Sequence, residues 1–244
     1  SKKFTKELCA RALSFIDILT SSQKEKLFFS FSDKERFNWH YTPIKKYGLT
    51  ISEMNEDQQN MAFNIIKLLL SEMGHQTFKE IIELEKILYE WEKLQGEKNH
   101  WIRDSGIYYF AIFGDPNNDD TPWGIRVNGH HILITVNFSS KFISFLPSFF
   151  GANPAEILHG KRKGEKTLLK EENLARSFIK SMNFHQSTKA ILHENAPADI
   201  ITQNVIHVKK FHIEDGIKYS SLFDSQKLLL KTLISHYFSR FNNL

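Results

Sequence analysis

Between two runs of alternating apolar residues the chain places Asn128-Gly129, and this pair constrains the fold more than any other feature. Asn-Gly readily supplies the positive φ angles of a two-residue type I′ turn, whose twist matches that of paired strands. The expected strands are Trp123 to Val127 and His130 to Phe138, a central hairpin over 123–138. Such a turn sets Val127 opposite His130 and Arg126 opposite His131. Opposed residues share a face and successive residues alternate. One face then carries Trp123, Ile125, Val127, His130, Ile132 and Ile134 and is apolar. The other carries Gly124, Arg126, His131, Leu133, Thr135 and Asn137 and is mostly polar.

Upstream of Gly96 the apolar period is helical, and beyond it the period shortens to two. Phe4 to Leu19 reads as an amphipathic helix that carries Cys9 on its apolar side. Asn55 with Gln58 forms a capping pair for a helix burying Met61, Ile65, Leu68 and Leu69, which Gly74 would close. A second helix, Thr77 to Leu94, would bury Ile81, Leu84, Leu88 and Trp91. Gly106 to Phe113 is strand-like, Gly114 to Asp120 is a turn cluster, and Lys141 to Leu146 offers a further strand. Pro147 to Pro154 reads as a loop, and helices follow at Leu168 to Met182, Gln186 to His193 and Leu222 to Phe241, with a strand at Asn204 to Val208. The expected fold is α+β, an antiparallel sheet of about three to five strands packed with several helices. With no repeat or linker, 1–244 reads as a single domain: an N-terminal helical region over 1–95, the sheet over 106–146 and a C-terminal helical region over 155–244.

Hydrophobic residues make up 41% and charged residues 25% of the 244, which suits a globular protein with a sizeable core. That core should be aromatic, since phenylalanine occurs 21 times. Net charge is +4, and the densest basic run, Lys161, Arg162, Lys163 and Lys166, reads as a solvated turn more readily than a phosphate contact. No nucleic-acid motif accompanies it, so nucleic acid is not an expected partner. No segment approaches the apolar length of a membrane span, so no membrane partner is expected. Cys9 is the only cysteine, which excludes an internal disulfide. The cytoplasm is the expected location; the chain opens at Ser1 without methionine, and a removed signal peptide stays open.

Of the two adjacent histidines, His131 is the better candidate for chemistry. An arginine opposite it would keep the imidazole neutral, as a general base or metal ligand requires. Arg126 suits a bidentate anion clamp, and Asp104 an orienting carboxylate. The competing readings are plain: Arg126 and His131 decorate a solvated sheet face, His130 is a structural histidine beside an apolar row, and Arg103-Asp104 is a local ion pair. Eleven histidines are many, yet no His-Glu-x-x-His or Cys-His set occurs. Phe149 to Ala155 reads as a shaped loop in which Gly151 and Ala152 permit close approach and Asn153 offers hydrogen bonds. Phosphate-loop, dinucleotide-glycine and Gly-x-Ser-x-Gly signatures are absent, which disfavours nucleotide chemistry by the usual routes.

Several motifs occur in a fixed order: Trp39-His40-Tyr41-Thr42-Pro43, Tyr47-Gly48-Leu49, Gln59 with Leu68 to Ser71, Phe113-Gly114-Asp115-Pro116, Trp123-Gly124-Ile125-Arg126, Gly129-His130-His131, Phe149 to Ala155 and Ala196 to Ile200. Together they resemble the bacterial domain-of-unknown-function family numbered thirty-five hundred, from about Trp39 to the last helix. The resemblance implies that Trp123, Arg126, His130, His131, Asn153 and Pro154 belong to one motif set and implies no activity. Two departures stand out. Ile125 occupies the place of a second tryptophan, and longer members carry a C-terminal segment with a His-x-His element that does not occur before Leu244. The leading expectation is a hydrolase-like enzyme on a small or oligomeric polar substrate, with His131, Arg126 and Asp104 catalytic and Trp39, Trp123, His130 and Asn153 lining the site. A divalent metal is the candidate cofactor, with His131 its first ligand. The alternative is a non-catalytic module for a carbohydrate, an anionic small molecule or a protein segment. Oligomeric state is left open.

Overall fold

The computed structural model describes residues 2–96, 101–118, 120–139, 142–207 and 216–242. They form two compact units, Ser1–Thr167 with Arg240–Leu244, and Leu168–Ser239. The architecture is α+β.

The first unit is built on a seven-stranded sheet: β1 (Phe28–Phe29), β2 (Leu49–Thr50), β3 (Tyr109–Phe113), β4 (Trp123–Gly129), β5 (Ile132–Phe138), β6 (Ile143–Ser144) and β7 (Phe149–Phe150). The order β1-β3-β4-β5-β6 forms its spine, with β2 also on β3 and β7 also on β5. The sheet is mixed rather than purely antiparallel, because β1 runs parallel to β3. β1 and β7 are two-residue strands, too short to show an alternating period. β7 falls within the expected loop 147–154 and pairs Phe150 with Ile132.

Helices α1 (Lys2–Asp17), α2 (Ser21–Leu27), α3 (Glu56–Leu69) and α4 (Glu72–Leu94) belong to this unit. The cap expected for α3 is present in both directions. Asn55 Oδ1 accepts from the Gln58 N–H at 3.0 Å, and Gln58 Oε1 from the Asn55 N–H at 2.9 Å. Gly74 does not close α3; it lies inside α4, where the N-cap Ser71 Oγ accepts from its N–H at 3.1 Å. A Cβ there would meet the Arg240 carbonyl oxygen at 2.0 Å, so close backbone approach explains the glycine. The core lies between the helices and one sheet face, where Trp123, Ile125, Val127, Ile132, Ile134 and Val136 meet Leu8, Phe15, Ile65 and Phe78. Cys9 packs against its edge.

The hairpin turns at His130-His131, not at Asn128-Gly129. Gly129 pairs with Ile132, Asn128 with Leu133, Val127 with Ile134 and Arg126 with Thr135. His131 carries the left-handed φ of 57°, which histidine adopts more readily than most residues. The physical reason for the shift is Tyr108. Its ring lies where a Cβ at Gly129 would come within 2.2 Å, and its hydroxyl donates to the His130 carbonyl at 3.1 Å. Gly129 therefore serves close packing within a strand. The displacement is two residues, an even number, so every strand residue keeps the face that alternation assigned. The polar face is not solvated, however: Arg126, Asn128 and Thr135 are all buried.

The second unit contains α5 (Leu169–Lys180), α6 (Phe184–Ala190) and α7 (Asp224–Phe238). Gln186 and Gln226 exchange amide hydrogen bonds at 2.8 and 2.9 Å, and the His236 Nε2 meets Glu171 Oε1 at 2.8 Å. The strand expected from Asn204 is not formed over 204–207; Val208 lies outside the described residues.

Gly129→Asn separates the two roles of this glycine. A turn position would tolerate asparagine, whereas the Tyr108 contact predicts a loss of about 1–3 kcal/mol in urea denaturation, comparable with Gly129→Ala.

Candidate functional site

Arg126 is 1% exposed in the middle of the sheet, where a guanidinium is tolerated only if oxygens surround it. Those oxygens come from the segment that follows β1. Nη1 donates to the carbonyls of Glu35 and of Asn38 (2.8 Å), and Nη2 donates to Glu35 Oε1 at 2.6 Å and the Tyr47 carbonyl at 3.3 Å. The Phe113 ring lies 5.2 Å beneath the guanidinium. The segment 34–47 is thereby strapped over the polar sheet face. Arg126 is occupied, and the structure pairs it with Glu35 instead of placing it beside His131. It is a positioning arginine here, not a free anion clamp.

The strap continues to the hairpin turn. The His131 N–H donates to the Tyr41 carbonyl at 2.8 Å, and the Gly151 N–H donates to the His131 carbonyl at 2.8 Å. Gly151 is needed because a Cβ would lie 2.7 Å from His131 Nδ1. The close approach expected at this glycine is thus to an imidazole. Half-buried Tyr41 and Phe149 stand edge-on to the ring, with centroids 6.4 and 6.3 Å from it, and half-buried Trp39 packs against both. Asn153 is half-buried in the loop after β7. Trp123 is elsewhere, in the core and stacked on Phe138 at 4.7 Å. The alternation already assigned it the apolar face, so its core position follows from the pattern.

The adjacent histidines differ in their partners. His131 Nδ1 is buried without a hydrogen bond, and burial, then the neighbouring His130 and Arg103, push its pKa down to about 3. The ring is neutral, as expected, but through desolvation and not through Arg126. A base so weakened holds a proton poorly. His130 is also buried, yet its Nδ1 meets Glu85 Oε1 of α4, and its ring lies edge-on to His131 at 4.3 Å. An ionised carboxylate only accepts, so Nδ1 carries the proton and Nε2 is the basic nitrogen.

His130 and Glu85 line a cavity of about 10 Å³, roughly the room one water needs, together with Lys46, Asp104, Tyr108 and Tyr109. Burial, then the Arg126 charge, lower the Lys46 ammonium to about 8, against the pull of Glu85. Burial and Glu85 push the Tyr108 phenol well above its ordinary value. Asp104 Oδ1 accepts from the Gly106 N–H at 2.7 Å, while Arg103 pairs with Glu92 at 2.7 Å and not with its neighbour. Among the described residues, no three of His, Cys, Asp and Glu come together as a metal-binding set.

The residues that sequence reasoning passed over are Glu35, Lys46, Glu85 and Tyr108. Glu85 had a readable signal. It falls at helical spacing between Ile81, Ile82 and Leu88, so a carboxylate interrupts an otherwise apolar stripe. Lys46 lies in irregular backbone and Glu35 in the single 3-10 turn Lys34–Phe37, and neither gives a period to read. The basic run at 161–166 lies on a turn, with Arg162 paired to Glu165 and Glu83 and Lys166 to Glu156.

A model of one protein family, described as Protein of unknown function (DUF3500), matches residues 1–243, which extends the similarity to the N-terminal helices. No curated protein and no solved structure matches the chain.

Arg126→Ala should destabilise the protein by about 3–5 kcal/mol in urea denaturation, the cost of stranding the largely enclosed Glu35 carboxylate and the strap carbonyls. A pH dependence follows from His131. The unfolded ring takes up a proton near 6.5 and the folded ring only near 3, so the unfolded state binds more protons between these values. Stability should fall as pH drops from 6.5 towards 3. His131→Asn, which keeps a left-handed φ accessible, should flatten that region of the profile relative to wild type.

Proposed function

We propose that this chain, which belongs to the DUF3500 family, is a hydrolase-like enzyme acting on a small or oligomeric polar substrate, with His130 as general base and Glu85 as its orienting carboxylate. The observation that carries this reading is the one-water cavity beside the Glu85–His130 pair. General-base hydrolysis by a histidine places a water next to a basic nitrogen of defined tautomer, and the pair supplies both the nitrogen and its orientation. In the step proposed, His130 Nε2 takes a proton from the water as its oxygen bonds to the electrophilic centre. The imidazolium, held by Glu85, returns that proton to the leaving group. Asp104 would orient the water, and the half-buried Trp39, Tyr41 and Phe149 rings would wall the substrate beyond His131. His131 is not given this role because its Nδ1 is buried without a hydrogen bond and burial lowers its pKa to about 3.

The alternative, a non-catalytic binding module, rests on the same half-buried aromatic rings. A panel of chromogenic esters, phosphoesters and glycosides separates the two. Wild-type protein should turn over at least one class, and a folded His130→Gln variant should lose about 10²–10⁴-fold in kcat, with Glu85→Gln losing less. Turnover surviving in folded His130→Gln would overturn the assignment. Saturable binding of an oligosaccharide or anion without turnover would favour the module.

A further inference from the structure

We propose that Lys46 is a nucleophilic amine that condenses with a short, uncharged aldehyde or ketone entering the cavity beside Glu85 and His130. Lys46 is 5% exposed, and among the described residues two acceptors reach its Nζ, the carbonyls of Thr42 at 2.7 Å and Ile44 at 3.1 Å. An ammonium has three N–H donors and would leave one unmet in a buried site. A free amine has two, which those carbonyls satisfy, and its lone pair remains available for attack. The surroundings shift the balance towards that form relative to an exposed lysine. Burial and the Arg126 guanidinium oppose the charged state, more strongly than Glu85 restores it. The exposed neighbour Lys45 shares the segment without the enclosure.

The other titratable groups facing this amine are Glu85 of α4, His130 of the hairpin turn, Asp104, and Tyr108 and Tyr109 at the start of β3, with His40 on its own segment. Among them are the groups the reaction needs. Attack of nitrogen on the carbonyl carbon forms a C–N bond and a carbinolamine, with a proton delivered to the oxygen. Loss of that oxygen as water, carrying away in total both amine protons, leaves a neutral imine and consumes no oxidant or reductant. If the imine takes up a proton, one N–H donor is restored to the strap carbonyls. Because the cavity holds about one water, even a two-carbon carbonyl compound enters only as Pro43, Ile44 or the exposed Ile102 yields, which restricts the reactant to short compounds. This proposal does not depend on hydrolysis by His130, since capture of the amine is read without turnover.

The test uses the native chain with acetaldehyde and sodium cyanoborohydride, which reduces an imine to a stable N-ethyl group, followed by peptide mapping. At neutral pH, N-ethylation of Lys46 should start at least about tenfold faster than that of Lys45, because far more of it is free amine. With the fold monitored by circular dichroism, the Lys46 rate should level off above pH about 8 while the Lys45 rate continues to climb. Labelling of Lys46 no faster than Lys45, or with the same pH profile, in a chain that keeps its fold would overturn the proposal and leave Lys46 a staple of its own loop.

Discussion

A guanidinium buried in the middle of a β-sheet must collect oxygens from somewhere, and Arg126 collects them from a single stretch of chain. Glu35 supplies a carboxylate and a carbonyl, and Asn38 and Tyr47 supply further carbonyls. Charge neutralisation and hydrogen bonding together offset the desolvation cost. The geometric result matters as much as the energy. Irregular backbone over 38–47 has no ladder of its own, so its path is set by what it is tied to. Arg126 ties it to the sheet, and the Tyr41 carbonyl ties it to the hairpin turn. Gly48, with φ 138°, closes the far end against the Phe110 carbonyl, where a Cβ would approach to 2.5 Å. Lys46 enters the cavity as a consequence of these anchors.

The same arrangement makes two neighbouring histidines chemically unequal. Both sit in the two-residue turn between β4 and β5, with rings 4.3 Å apart. His130 meets a carboxylate from α4, whereas His131 meets Gly151 and the aromatic rings around it. One imidazole therefore has an orienting partner and a basic nitrogen, and the other is held neutral by burial. Tyr108 links this division to the fold, since its ring excludes a side chain at 129 and its hydroxyl holds the His130 carbonyl.

Much of the framework was legible in the residues themselves. The helix cap at Asn55 with Gln58 is a local exchange of hydrogen bonds and needs no tertiary partner to be recognised. The α+β class, the hairpin and the face assigned to each strand residue follow from apolar periods, and those faces survived a change of turn because the change was even. The two-residue strands β1 and β7 left no period to read. Glu85 was visible as a charge within a buried stripe, a signal that asks for a buried partner without saying which.

What the sequence determined by itself was the alternation that places Arg126 and Trp123 on opposite faces of one hairpin. Tertiary structure decided where that hairpin turns, since Tyr108 fills the space over Gly129 and long-range hydrogen bonds hold His130-His131 as the loop. It also decided which charges meet. Arg126 with Glu35, and His130 with Glu85, are separated by tens of residues, and only the folded sheet and strap bring their oppositely polarised atoms into contact. Local propensities act over a few residues, whereas the partners of a buried charge are chosen by the whole fold.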